Sequence, residues 1–144
     1  MKNVAELLKA KPARQVVTVR PEDSVLDAIR VLAREDVGAA VVMSSDRLAG
    51  IFSERDYTRK IVLKGRSSDA TRVEDVMTAN VVCVSPRAKT RDCMALMTEK
   101  NIRHLPVVDE GLVVGMVSIR DIVGDIIADQ DFTISQLEHY ISGV

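Results

Sequence analysis

Apolar positions along this chain switch between a helical and a strand period, and the switches come in the same order twice. Val4, Leu7 and Leu8 lie at helical spacing behind Asn3, and Asn3 with Glu6 makes a capping-box pattern that predicts a helix start, with Pro12 as its stop. Val16 to Val19 is β-branched throughout and predicts a short strand. After the break at Pro21-Glu-Asp-Ser24, Val25, Ala28, Ile29, Leu32 and Ala33 predict a helix, with Arg30, Arg34 and Glu35 elsewhere on its surface. Val37 to Met43 is an unbroken run of small and apolar residues, as a buried strand requires. Ser44-Ser-Asp46 predicts a turn, Leu48 to Phe52 the strand paired through it, and about Arg55 to Leu63 a helix stopped by Gly65. The polar stretch from Gly65 to Thr71 predicts a linker. Thr71-x-x-Glu74 then predicts a second capped helix, short, with Val73, Val76 and Met77 on its apolar side.

From Val81 the pattern starts again. Pro21 recurs as Pro86, Gly50 as Gly115 and Asp56 as Asp121, each 65 positions later, and residues 16–56 align with 81–121 without a gap. An internal repeat outranks any local signal. A unit of some 60 residues buries little surface alone, so two copies sharing a core are expected. The division predicted from sequence is residues 1–70 and 71–144, each with its own leader helix. The leaders break the pattern, because Val4, Leu7 and Leu8 match Val73, Val76 and Met77 at an offset of 69. The first copy therefore has four extra residues before its first strand, within the basic segment Lys9 to Gln15, so the two halves cannot be equal there. Beyond the second copy, Ile122, Val123, Ile126 and Ile127 predict a helix. Thr133-Ile-Ser-Gln136 predicts the cap of a separate last one carrying Ile134, Leu137 and Ile141, which would cover the module or meet a second chain.

Composition narrows the classes. Hydrophobic residues make up 47 % of the chain but aromatic ones only 3 %, so the core must be aliphatic. Twenty basic residues against 21 acidic ones give a net charge of −1, without the basic stripe of a nucleic-acid binder. No apolar run reaches the length of a membrane span, and the charged start is unlike a secretory signal, so a cytoplasmic protein is expected. Cys83 and Cys93 form no C-x-x-C, and His104 and His139 form no metal-ligand spacing with them. No metal is expected. No activated Ser, Cys or His stands out, and two equivalent aspartates poorly suit the split roles of a catalytic carboxylate pair, so no enzyme is expected.

The repeated motif carries the chemistry. Gly50-Ile-Phe-Ser-Glu-Arg-Asp56 and Gly115-Met-Val-Ser-Ile-Arg-Asp121 keep Gly, Ser, Arg and Asp in register where a strand hands over to a helix. A carboxylate can accept two neighbouring hydroxyls at once. Arginine offers a planar fork to phosphate oxygens, and a helix start offers free N–H groups to an anion. Ser-x-x-Asp is equally a helix cap in its own right.

The duplicated strand, helix, strand, strand, helix order closed by G-x-x-S-x-R-D resembles the CBS domain pair, or Bateman module. Ile102-Arg-His-Leu-Pro-Val-Val-Asp109 and Leu112-Val-Val-Gly115 are similar to its second- and third-strand signatures, whereas the first copy has Val41 where the family usually has Pro. The resemblance implies an α/β (α+β) fold of two β-α-β-β-α repeats packed through their sheets with pseudo-twofold symmetry. It also implies a non-enzymatic regulatory module that holds AMP, ADP, ATP or NAD between the repeats, with S-adenosylmethionine ranked lower. A homodimer is implied, and a regulated partner protein would read the signal. The alternative is a ligand-free dimerisation or interaction module whose motifs only cap helices. On the family pattern Asp56 and Asp121, helped by Ser53 and Ser118, would bind ribose. Arg55, Arg120, Arg103 and His104 would bind phosphate. Asn80, Val82 and Ile102 would enclose adenine at the Asp56 site, where Arg103 and His104 also fall. Gln15, Val17, Val37 and Gly38 would enclose it at the Asp121 site, and Lys11 and Arg14 offer positive charge there. The basic run Arg59, Lys60, Lys64 and Arg66 is read as a solvated helix face.

Overall fold

The computed structural model describes residues 2–11 and 16–142. Its elements are α1 (Val4–Ala10), β1 (Thr18–Val19), α2 (Val25–Glu35), β2 (Ala39–Ser44), β3 (Arg47–Ser53), α3 (Glu54–Tyr57), α4 (Thr90–Lys100), β4 (His104–Asp109), β5 (Leu112–Ser118) and α5 (Ile119–Ser142). The fold is mixed α/β and repeats in the predicted order. The chain forms two compact units, one of Arg14–Val82 and one of Met1–Ala13 with Cys83–Val144. The leaders are thus exchanged: each stretch ahead of a repeat packs in the unit of the other repeat.

Hydrogen bonds fix that exchange, and they repeat at the spacing of the sequence. In one unit Val4 N–H donates to Ala88 O at 2.8 Å and Ala5 N–H to Pro86 O at 2.9 Å. In the other, Val73 N–H donates to Asp23 O at 2.9 Å and Glu74 N–H to Pro21 O at 3.0 Å. The partition of the folded chain therefore differs from its partition into sequence repeats.

In the Arg14–Val82 unit the sheet order is β1-β2-β3, with β1 parallel to β2 and β2 antiparallel to β3. Its core joins Val19, Val25, Ala28, Leu32, Ala40, Val42, Phe52 and Ile61 to Val73 and Val76 of the second leader. In the other unit β4 pairs antiparallel with β5, and the strand expected from Val81 is reduced to one parallel bridge, Val84 to Val107. Val84 still exchanges both backbone bonds, with Pro106 O and Val108 N–H. The backbone itself repeats: Asp36 and Asn101 end α2 and α4 in the left-handed region, and Ser45 and Glu110 take it in the turns.

Three expectations are corrected. Thr71 does not cap a helix, because its hydroxyl donates to Ser67 O at 2.7 Å, and only a 3-10 turn, Val73–Asp75, follows. The helix after the first motif leaves the α geometry after Tyr57 and runs as a π turn over Thr58–Val62. The tail is one helix, since Thr133 donates its hydroxyl back to Asp129 O at 3.0 Å and does not cap a new start. Pro12, read as the stop of the first helix, lies outside the described residues, but α1 ends at Ala10 and its Asn3–Glu6 capping box is formed.

The motif glycines are explained by close approach. A Cβ on Gly50 would sit 2.7 Å from Thr78 O and 2.8 Å from Met77 Sδ. A Cβ on Gly115 would meet first the end of the Leu8 side chain, at 2.8 Å and 2.9 Å. A carbonyl locked in a bridge cannot yield, whereas a leucine can turn. Gly50→Ala should therefore destabilise the protein by about 1–3 kcal/mol in urea unfolding, and Gly115→Ala by clearly less. Equal losses, or the reverse order, would contradict this packing.

Candidate functional site

Each motif closes a helix start on itself. Ser53 Oγ accepts from Asp56 N–H at 3.1 Å, while Asp56 Oδ2 accepts from Ser53 N–H and Ser53 Oγ, both at 3.0 Å. Ser118 Oγ accepts from Asp121 N–H at 3.3 Å, and Asp121 Oδ2 accepts from Ser118 N–H at 2.8 Å. The helix caps anticipated from Ser-x-x-Asp are formed in both copies. The first N–H of each helix is also taken, Glu54 by Gly38 O at 3.0 Å and Ile119 by Arg103 O at 2.8 Å. The expected supply of free N–H groups is therefore smaller than the motif suggested: the first and third are satisfied inside each unit.

The two carboxylates differ in what else they hold. Buried Asp56 offers Oδ1 to Lys60 Nζ at 3.0 Å and to Thr78 Oγ1 at 3.4 Å. Lys60 stands one helical turn on and also donates to Val76 O at 2.8 Å. Position 125, its counterpart, is Asp, and Asp125 is buried and accepts from Thr90 Oγ1 at 2.9 Å. The cation for Asp121 comes instead from the first leader. Lys11 Nζ lies 3.0 Å from Asp121 Oδ2 and donates to Met116 O at 3.1 Å. In the other unit the carbonyl equivalent to Met116 O, that of Ile51, is bonded by the backbone of Thr78. The four extra leader residues thus exchange a backbone bridge for a lysine.

Asp56 has four acceptor contacts, which fills the capacity of a carboxylate. On Asp121, Oδ2 takes the Ser118 N–H and the Lys11 ammonium, and the Ser118 hydroxyl adds a further contact to the carboxylate. Burial pushes the Asp121 carboxyl up, but the Ser118 N–H and the Lys11 ammonium outweigh it and hold the group below the usual aspartate range. Burial also keeps His104 below the usual imidazole range. The Asp121 charge opposes that shift, and Arg103 and Lys11 reinforce it.

The remaining candidates divide between the units. With Asp56 lie Ser53, the half-buried Arg55, Asn80 and Val82, and also Val17, Val37 and Gly38. Val17 and Val37 pack against the core of their own unit, and Asn80 is exposed. With Asp121 lie Ser118, Arg120, Ile102, Arg103 and His104. His104 pairs with Ser118 across the β4–β5 ladder, which accounts for the field it shares with Asp121. Arg103 and Arg120 are exposed. Gln15 and Arg14 lie outside the described residues. Sequence reading missed Lys60 as a site residue. It stands four residues after Asp56, the spacing of a helix ion pair, but in one basic run with Arg59, Lys64 and Arg66, which are exposed.

Comparison with known proteins gives the class. The CBS domain profile matches residues 4–63 and 73–128, so the chain belongs to the CBS domain family and carries two copies. A protein with CBS domains from Burkholderia ambifaria MC40-6 is similar over 90 % of this chain and 96 % of its own, at TM-score 0.86 and 53 % identity. The CBS domain-containing protein CBSX3, mitochondrial, of Arabidopsis thaliana is 41 % identical over 127 residues, 85 % of this chain. The match spans only 62 % of that relative's length. A CBS domain protein of Pyrobaculum aerophilum complexed with AMP is similar at TM-score 0.73 and 27 % identity, over 83 % of this chain and 89 % of its own. Among the described residues no helix is long and apolar enough to cross a membrane.

His104 supplies a pH test. Its folded pKa is depressed, so the unfolded chain takes up the proton first. Stability tied to neutral His104 is full above about pH 6.5 and is lost as pH falls through the folded value. Urea unfolding at pH 7.5 and pH 5.5 should show a loss on acidification that is smaller in His104→Gln. An unchanged loss in that variant would contradict the burial of a neutral imidazole.

Proposed function

We propose that this protein is a non-enzymatic regulatory module that binds an adenine nucleotide through the ribose hydroxyls, using Asp121 and Asp56. The observation that carries the reading is the Asp121 carboxylate, held in its ionised form beside a lysine and a motif serine at a helix start. Support comes from the Pyrobaculum aerophilum relative, which is complexed with AMP. An ionised carboxylate with spare lone pairs is a strong acceptor for a vicinal diol. Asp121 is the readier acceptor, because Asp56 must first release Thr78 or Lys60. Lys11, with Arg103 and Arg120 on the same unit, favours an anionic ligand such as AMP, ADP, ATP or NAD. A ligand changes the module only through unequal affinity for two arrangements, and the readout is a partner protein or a second copy of the chain in a homodimer.

Calorimetry with AMP and with its 2′-deoxy analogue tests the reading without altering the fold. The analogue should bind more weakly by about 1–3 kcal/mol, because the carboxylate loses a charge-assisted hydrogen bond. Asp121→Ala should abolish the tighter of two binding events, and Asp56→Ala should spare it. Equal affinities for ribose and deoxyribose would overturn the assignment. Absence of any melting shift with adenosine compounds would leave the aspartates as helix caps only; at 100 times the dissociation constant a ligand adds about 2.7 kcal/mol.

A further inference from the structure

α5 runs on beyond the part of it that is buried in its unit. Its inward face is Ile122 and Asp125, both buried, with Ile119, Ile126 and Asp129 half-buried. From Gln130 to Ile141 every residue is exposed, although the stretch includes Phe132, Ile134, Leu137, Tyr140 and Ile141. An isolated helix of about a dozen residues is marginal in water, so this one needs a partner. The exposed apolar residues are not scattered. Ile127, Ile134 and Ile141 recur every seven positions, and Val123, Gln130 and Leu137 recur between them in the alternating 3,4 spacing of a coiled-coil seam. Apart from Gln130 all are apolar, and Ile134 and Leu137 are 52 % and 56 % exposed. The seam lies to one side of the inward face, so both can be covered at once.

We infer that this seam pairs in parallel and in register with the α5 seam of a second copy of the chain. Two features select that occupant. Ile127, Ile134 and Ile141 at one seam position, with Leu137 at the other in the exposed stretch, follow the isoleucine–leucine pattern of a parallel two-stranded pair, while Val123 and Gln130 fill the remaining places. Gln130 is the single polar seam residue, and its amide needs both a donor and an acceptor; Gln130 of a second copy at the same level supplies both. The flanks agree. One flank of the seam carries Asp131 and Glu138, the other Ile126, Thr133 and Tyr140. Parallel pairing sets the acidic flank of one copy against the uncharged flank of the other. Antiparallel pairing would set acidic against acidic. The inference deepens the homodimer reading above and is independent of the nucleotide.

Sedimentation equilibrium of the full chain tests it. Wild type should be a dimer, Ile134→Asp with Leu137→Asp a monomer, and Phe132→Asp, on the opposite side of the helix, still a dimer. In a Cys83→Ser background, Gln130→Cys should be captured as a covalent dimer by a short thiol cross-linker, and Phe132→Cys should not. A seam double variant that stays dimeric overturns the seam and leaves the homodimer standing. A monomeric wild type overturns both. Loss of the dimer in the seam variant without capture of Gln130→Cys overturns the parallel register.

Discussion

A short carboxylate at the start of a helix has to satisfy the backbone before it can do anything else. Asp56 and Asp121 each return a hydrogen bond to the serine three residues earlier, and that closed loop turns strand β3 into α3 and strand β5 into α5. What remains of the carboxylate decides the character of each unit. At Asp56 a lysine one turn along the helix and a threonine from the leader take it up. At Asp121 a lysine from the other leader shares the oxygen that caps the helix.

The exchanged leaders make this difference possible. Each lies across the strand that carries the motif glycine, close enough that a side chain at Gly50 would collide with a carbonyl. The second leader is short and stitches itself to β3 by backbone bonds at Ile51. The first is longer, and Lys11 reaches the equivalent carbonyl with its ammonium instead. An insertion in a connecting segment thus becomes a change of charge beside the motif carboxylate. The same economy appears at position 60 and its counterpart 125, where a lysine serving Asp56 is replaced by a buried Asp–Thr pair.

Much of this was legible in the residues. The gapless 65-residue repeat gave the strand and helix order, the capping patterns at Asn3 and at both Ser-x-x-Asp motifs were formed, and the leader offset announced that the halves would differ. What was hidden depends on long-range choices. Nothing local in Val4–Leu8 says which repeat it will pack on. Thr71 and Thr133 carry capping patterns but spend their hydroxyls on carbonyls four residues back, an alternative open to any threonine. Lys60 was concealed by its neighbours, because one inward lysine in a basic run looks like the outward ones. His104 is near Asp121 only because the β4–β5 ladder sets it opposite Ser118.

The central claim is that a capping carboxylate keeps enough acceptor capacity to bind a sugar. A crystal structure of the chain grown with AMP examines it directly. Ribose hydroxyls are expected within hydrogen-bond distance of the Asp121 carboxylate, with the Ser118–Asp121 loop intact. Nucleotide density that leaves both Asp121 and Asp56 untouched would contradict it.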